Sequence, residues 1–119
     1  MVVDDNPGFL ETASTVLSRG GLTVVGSAAT SADALARVRE TQPDVVLVDI
    51  LLGSESGLDL ARRLEADTPG TKVILISTHS AEDFADLIAA SPAIGFLPKS
   101  RLSAEAVEEL LAESDGSKD

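Results

Sequence analysis

The 119-residue sequence contains no cysteine, tryptophan or tyrosine, and it contains only three phenylalanines. The absence of cysteine excludes a disulfide framework, a thiol nucleophile and a thiolate metal site. The shortage of aromatic rings argues against a surface on which nucleic-acid bases or a flavin would stack. No apolar run approaches the ~18 residues that a membrane span needs. We therefore expect a soluble, cytoplasmic protein with no membrane partner.

Basic residues are also scarce, because nine Lys and Arg stand against twenty Asp and Glu, for a net charge of −11. Nucleic-acid binding requires Lys and Arg against phosphate, so direct binding of nucleic acid by this chain is not expected. Apolar residues still make up 44% of the chain, which indicates one folded domain rather than an acidic disordered segment. Clustered acids in such a domain favour a bound cation.

Short apolar runs alternate with helical patterns along the chain, which is typical of repeated βα units and a parallel sheet. Five strands are predicted, and their ranges are Val2 to Asp4 or Asp5, Leu22–Ser27, Val45–Asp49, Lys72–Ile76 and Ile94–Leu97. Five helices are predicted to begin at Pro7 after an Asn6 cap, at a Ser31 cap, and near Gly57, Ser80 and Ser103. Segment 50–56 is predicted to be a loop. We expect one domain over residues 1–113 and a polar tail over 114–119.

Acidic residues and one lysine directly follow several of these apolar runs. Asp4 and Asp5 end the first strand, Asp49 ends the third, and Lys99 follows the fifth. Because ligands bind at the carboxyl ends of parallel strands, we expect these side chains to converge on one edge of the sheet. Three neighbouring carboxylates raise each other's pKa or recruit a counter-ion. Oxygen ligands in a chain without cysteine favour Mg²⁺.

The same edge is predicted to contain groups that can accept a phosphoryl group and stabilise its charge. An ionised carboxylate such as Asp49 can form an aspartyl-phosphate without a general base. A metal ion and Lys99 would stabilise the charge on the phosphoryl oxygens, and Ser77, after the fourth strand, offers a hydroxyl. Each residue taken alone has an ordinary structural interpretation as a turn, cap or solvated residue. Their joint placement at the strand ends favours a functional site.

The segments that contain these residues resemble the receiver domain of bacterial two-component response regulators, and they are most similar to receivers of the NarL/FixJ type. The matching segments are residues 3–7, 43–50, 57–58, 76–79 and 95–99. The resemblance covers essentially the whole chain, in the same order and spacing. It implies a flavodoxin-like, doubly wound α/β fold with a five-stranded parallel sheet of order 2-1-3-4-5 and helices on both faces.

The resemblance also implies roles at the metal and phosphorylation site. Asp49 corresponds to the phosphoacceptor, which receives its phosphoryl group from a sensor histidine kinase. Asp5 corresponds to the direct Mg²⁺ ligand, and Asp4 to the acid that helps through water. Asp49 and the backbone carbonyl of Leu51 would complete the protein ligands.

Four further residues correspond to the groups that hold and sense the phosphoryl group. Lys99 matches the lysine that contacts it, Ser77 the hydroxyl that follows it, and Thr78 a backbone N–H donor. Phe96 stands at the position of the switch aromatic, which turns inward when Ser77 engages the phosphoryl group. A core aromatic on the fifth strand is the plainer interpretation of Phe96, and the two are compatible.

The resemblance therefore implies a phosphorylation-dependent switch rather than a metabolic enzyme. Phosphorylation would repack the face formed by helix four, strand five and helix five. The output would be a homodimer, or transcription through a C-terminal helix-turn-helix domain that is absent from this chain. The alternative is a phosphorylation-independent, degenerate receiver that acts as a dimerisation or docking module.

Two other classes of protein are disfavoured by particular residues. Phosphatases with an aspartyl nucleophile place a second acid two residues later, where this chain has Leu51. Flavin-binding modules need a Ser/Thr-rich loop after the first strand, where residues 6–9 are Asn-Pro-Gly-Phe.

The chain also departs from typical receivers at Leu52-Gly53, where Met-Pro is usual. Loss of proline and gain of glycine should loosen that loop.

Overall fold

The structure is a computed structural model that describes residues 1–78 and 81–116. The described residues form seven strands: β1 (Val2–Val3), β2 (Ser27–Ala28), β3 (Val45–Asp49), β4 (Leu51–Leu52), β5 (Glu55–Ser56), β6 (Lys72–Ser77) and β7 (Gly95–Pro98). Five of them form a parallel sheet in the order β2-β1-β3-β6-β7, while β4 and β5 form a separate antiparallel hairpin. With the hairpin set aside, this is the predicted order 2-1-3-4-5, so the predicted fold is confirmed.

The helices occupy the predicted connections between the strands. They are α1 (Pro7–Arg19), α2 (Ser31–Thr41), α3 (Gly57–Asp67), α4 (Ala85–Ala90) and α5 (Ala104–Gly116), with short 3₁₀ helices at Ala81–Phe84 and Lys99–Arg101. The predicted start of helix four near Ser80 lies outside the described residues, as does His79. Helix α5 extends through Gly116, so the first three residues of the segment predicted as a tail are helical.

The strands bury apolar side chains on both faces of the sheet. Val46 and Val48 point to the face covered by α2 and α3, whereas Leu47 points to the face covered by α1 and α5. All three side chains are almost completely buried, and each contributes ~1.5–3 kcal/mol relative to exposure. Burial on two faces explains why these strands have continuous apolar runs. It also holds the carboxyl ends of the strands in register.

The second strand is shorter than predicted. Leu22–Ser27 was expected to be a strand, but only Ser27–Ala28 pairs with the sheet. The reason is the length of β1, in which Val2 pairs with Ser27 and Val3 with Ala28. Backbone without a neighbouring strand has no ladder to join. Val25 accordingly remains 46% exposed.

The connections around β3 differ from the predictions in two respects. Helix α2 is capped by Thr30 rather than Ser31, because the Thr30 hydroxyl accepts a hydrogen bond from the Asp33 N–H at 3.2 Å. Segment 50–56, predicted to be a loop, contains the β4–β5 hairpin, which turns at Gly53 with a φ of 61°. A positive φ suits glycine, which has no Cβ.

In the described part of the chain, no helix is both long and apolar enough to cross a membrane.

Gly57 provides a test of how tightly the chain packs behind Asp49. A Cβ atom at Gly57 would lie 1.8 Å from the Asp49 backbone oxygen, whereas at Gly70 it would meet nothing within 4 Å. We expect Gly57→Ala to lower the free energy of unfolding by about 1–3 kcal/mol, because the backbone of Asp49 or of residue 57 would have to move to make room for the new methyl group. Gly70→Ala, the matched control, should leave it unchanged or slightly raised. Urea denaturation followed by circular dichroism measures both, and equal stability of the two variants would contradict the packing argument.

Candidate functional site

Strand β1 and the start of α1 position the first two acids. Asp4 is completely buried, and its Oδ1 accepts a hydrogen bond from the Asn6 N–H at 2.9 Å. Asn6 in turn caps α1 by accepting from the N–H groups of Gly8 and Phe9. Asp5 is exposed. The cap therefore fixes Asp4 below the edge of the sheet and leaves Asp5 at its surface.

Asp49 lies at the carboxyl end of β3, next to β1. It is only 5% exposed, and its Oδ1 accepts a hydrogen bond from the Leu51 N–H at 3.1 Å. The chain turns sharply after Asp49, since the Gly57 N–H returns to the Ile50 carbonyl at 2.9 Å. The start of α3 thus packs against the backbone that supports the Asp49 carboxylate.

Lys99 reaches these carboxylates from the end of β7. Its Nζ lies 3.0 Å from Asp49 Oδ2 and also contacts Asp4 Oδ2. The ammonium lies 4.4 Å from the centroid of the Phe9 ring, in cation–π geometry. The sequence patterns alone gave Phe9 no role at this site. Its position in the first turn of α1, above the carboxyl edge of the sheet, was the signal that could have indicated this contact.

Burial and charge act in opposite directions on the two central groups. Burial raises the pKa of Asp49 above its ordinary value, although hydrogen bonds from Lys99 and the Leu51 N–H partly offset this. Burial would lower the pKa of Lys99, but its hydrogen bonds and charge interactions with Asp4 and Asp49 outweigh burial and raise the pKa. Lys99 is therefore a stable ammonium at neutral pH.

The three acids form a cluster whose donors suit a divalent cation. One carboxylate oxygen from each of Asp4, Asp5 and Asp49 lies within 4.8 Å of the others. The buried Asp4 Oδ2 is compensated by its ion pair with Lys99. One ammonium cannot neutralise three carboxylates. Closely spaced carboxylate oxygens that retain net negative charge match the preference of Mg²⁺ for hard oxygen ligands.

The remaining predicted site residues lie on neighbouring strands or loops. Ser77 is the last residue of β6 and is 1% exposed, and Thr78 follows it at the surface. Phe96, on β7, is half-buried against the core on the α2 and α3 side. Leu51 is 48% exposed. The topology thus brings Asp4, Asp5, Asp49 and Lys99 together, and the roles of all eight residues remain predictions.

The raised pKa of Asp49 predicts how stability depends on pH. The folded state holds the Asp49 proton more tightly than the unfolded state, so ionisation of Asp49 costs stability as pH rises above its ordinary pKa. We expect Asp49→Asn to be more stable than the wild type at pH 7, with a difference that shrinks as pH falls toward that ordinary value. Thermal melts across this pH range measure it. Asp59→Asn, at an exposed side chain, controls for loss of one carboxylate, and an equal response of both variants would contradict the prediction.

Bacterial regulators are among the proteins of known sequence that resemble this chain. It is 31% identical over 111 residues to the response regulator GacA of Pseudomonas viridiflava, which covers 92% of this chain and 52% of GacA. It is 28% identical over 116 residues to the transcriptional regulatory protein YxjL of Bacillus subtilis, which covers 97% of this chain and 53% of YxjL. The chain thus spans about half the length of these relatives.

Solved structures and a family model agree with this similarity. The signal receiver domain of NarL from Mycobacterium tuberculosis superposes with a TM-score of 0.82 at 33% identity, over 97% of this chain and 94% of that domain. A LuxR-family two-component response regulator from Aurantimonas superposes with a TM-score of 0.81 at 30% identity, over 98% of this chain and 84% of that protein. The family model of the response regulator receiver domain matches residues 1–111. With its sheet order and its acidic edge, this chain therefore belongs to the response regulator receiver domain family.

Proposed function

We propose that the chain is a signalling switch in which Asp49 accepts a phosphoryl group from a sensor histidine kinase. The observation that carries this proposal is the contact of one ammonium, Lys99, with both Asp4 and Asp49 beside the exposed Asp5. Such an arrangement supplies a nucleophilic carboxylate, a cation and further carboxylates within one small space. The chain acts as a phosphoacceptor in the cytoplasm and not as a metabolic enzyme.

On this chain, the transfer would use groups that lie at or follow the carboxyl ends of the strands. An Asp49 carboxylate oxygen forms a new O–P bond while the N–P bond to the kinase histidine breaks, and the bonding electrons return to the histidine nitrogen. Lys99 Nζ stabilises negative charge on the phosphoryl oxygens. The Ser77 hydroxyl and the Thr78 backbone N–H donate hydrogen bonds to the same group. No residue needs to remove a proton, because Asp49 attacks as an anion.

A magnesium ion belongs to this proposal, and the acid cluster supports it. Asp5 and Asp49 would bind it directly with the backbone carbonyl of Leu51, and Asp4 would act through water. When bound, Mg²⁺ supplies positive charge that offsets the charge of the phosphoryl oxygens. Asp5, which follows β1, and Asp49, at the end of β3, would hold that charge beside the phosphoryl group.

The output is proposed to arise at the face of α4, β7 and α5. In α4 no residue is buried, and Leu87 is 48% exposed, so this face can repack at low cost. Movement of Ser77 toward the phosphoryl group would let Phe96 turn inward and alter that face. The change would promote a homodimer or control a helix-turn-helix domain in a longer protein. With a net charge of −11, the receiver itself would not bind nucleic acid.

Acetyl phosphate tests the phosphoacceptor directly. In the presence of Mg²⁺, the wild type should gain one phosphoryl group by intact mass, whereas Asp49→Asn should gain none. Asp59→Asn is the matched control and should behave like the wild type. Absence of a phosphoryl group on the wild type would overturn the proposal and favour the degenerate docking module. Equal labelling of Asp49→Asn would show that a residue other than Asp49 accepts the phosphoryl group.

Leu51 should influence how long the phosphoryl group persists. Its apolar side chain is 48% exposed and cannot orient water by hydrogen bonding, so we expect slow self-dephosphorylation. Leu51→Asn, which introduces a hydrogen-bonding amide beside Asp49, should shorten the lifetime several-fold. Val25→Asn is the matched control, at an apolar side chain that is similarly exposed and lies outside the site and the output face. Decay of labelled protein, followed by mass, measures the lifetime, and identical decay of both variants would refute this role.

A further inference from the structure

Glu55 connects the hairpin that follows Asp49 to a different helix. It lies on β5, opposite Leu52 of β4. Its Oε1 accepts a hydrogen bond at 3.0 Å from the backbone N–H of Ser31, the first residue of α2. Ser31 is 5% exposed, and its N–H has no partner within the helix because it lies in the first turn. The Glu55 carboxylate satisfies this donor and lies at the positive end of the helix dipole.

The hairpin is in contact with two acids of the proposed metal site. At its base, the Leu51 N–H donates to Asp49 Oδ1 at 3.1 Å. At its tip, a Cβ atom on Gly53 would lie 3.4 Å from Asp5 Oδ2, which places the Gly53 backbone against that carboxylate. The position of the hairpin therefore determines how closely the loop approaches Asp5 and Asp49.

The Leu52 side chain, which is 1% exposed in the core on the α2 and α3 side, anchors β4, but the rest of the hairpin has few contacts that hold it in place. Each strand has two residues, and isolated two-stranded hairpins are at best marginally stable in water. Its turn contains Gly53, which widens the range of unfolded conformations that folding must restrict. Ser56 anchors its far end by capping α3 through the Asp59 N–H. Glu55 supplies a further anchor for β5, on the side that faces α2.

We propose that Glu55 is a positioning residue that ties the β4–β5 hairpin to α2 and thereby sets the affinity of the Asp4, Asp5 and Asp49 cluster for Mg²⁺. The inference rests on the proposed function, because it assumes that this cluster binds Mg²⁺. Glu55 itself need not touch the ion, since it acts through the backbone that supports Leu51 and Gly53. Residues that orient metal ligands commonly affect affinity by 10–100-fold.

Three variants distinguish the effect of the Glu55–Ser31 hydrogen bond from the effect of the Glu55 charge. Glu55→Ala removes the acceptor, Glu55→Gln retains an acceptor oxygen without the charge, and Glu40→Ala removes an exposed carboxylate from α2 as the matched control. Mg²⁺ binding is measured by calorimetry. Hairpin opening is measured without metal by hydrogen exchange of the Gly53 and Ser54 amides.

We expect Glu55→Ala to weaken Mg²⁺ binding about tenfold and to accelerate exchange of both amides. Glu55→Gln should stay much closer to the wild type in both measurements, and Glu40→Ala should match the wild type. If the wild type binds Mg²⁺ and Glu55→Ala binds it equally well, only the present inference is overturned. If the wild type binds no Mg²⁺, the metal part of the proposed function fails and the inference fails with it.

Discussion

The contact of the Lys99 ammonium with two buried carboxylates is the interaction on which the rest of the site depends. Asp4 is completely buried and Asp49 is 5% exposed, and a buried charge without a partner is strongly destabilising. Lys99 supplies that partner to both, while the Phe9 ring lies against the ammonium. The remaining excess of negative charge makes the edge receptive to a cation.

Strand pairing connects this edge to the surface proposed as the output. Asp49 on β3 pairs with Ile76 on β6, and the next residue of β6, Ser77, pairs with Pro98 on β7. Lys99 directly follows Pro98. A change of charge at Asp49 would therefore be felt by β6 and β7, the strands next to β3 on that side of the sheet. Phe96 lies on β7, and α4, which has no buried residue, lies in the connection between β6 and β7. The β4–β5 hairpin connects the opposite side of the site to α2 through Glu55.

Local sequence signals predicted the elements that are buried on both faces or capped by their own residues. The range of β3 was predicted without error, β6 within one residue, and α1 from its Asn6-Pro7 start. Errors occurred where a partner distant in sequence decides the structure. The length of β2 is limited by β1, and segment 50–56, predicted to be a loop, forms a hairpin whose Glu55 accepts a hydrogen bond from the Ser31 N–H, 24 residues away.

By itself, the sequence determined the fold class and the residues at the carboxyl ends of the strands. Continuous apolar runs and the helical spacing of apolar residues are local patterns that can be recognised without the tertiary structure. It therefore placed Asp4, Asp5, Asp49 and Lys99 at one edge. Only the tertiary structure decided which of their atoms meet, that Phe9 lies beside Lys99, and that the segment after Asp49 folds into a hairpin. Those contacts join residues that are distant in the chain, and their geometry follows from strand register and helix packing rather than from any local pattern.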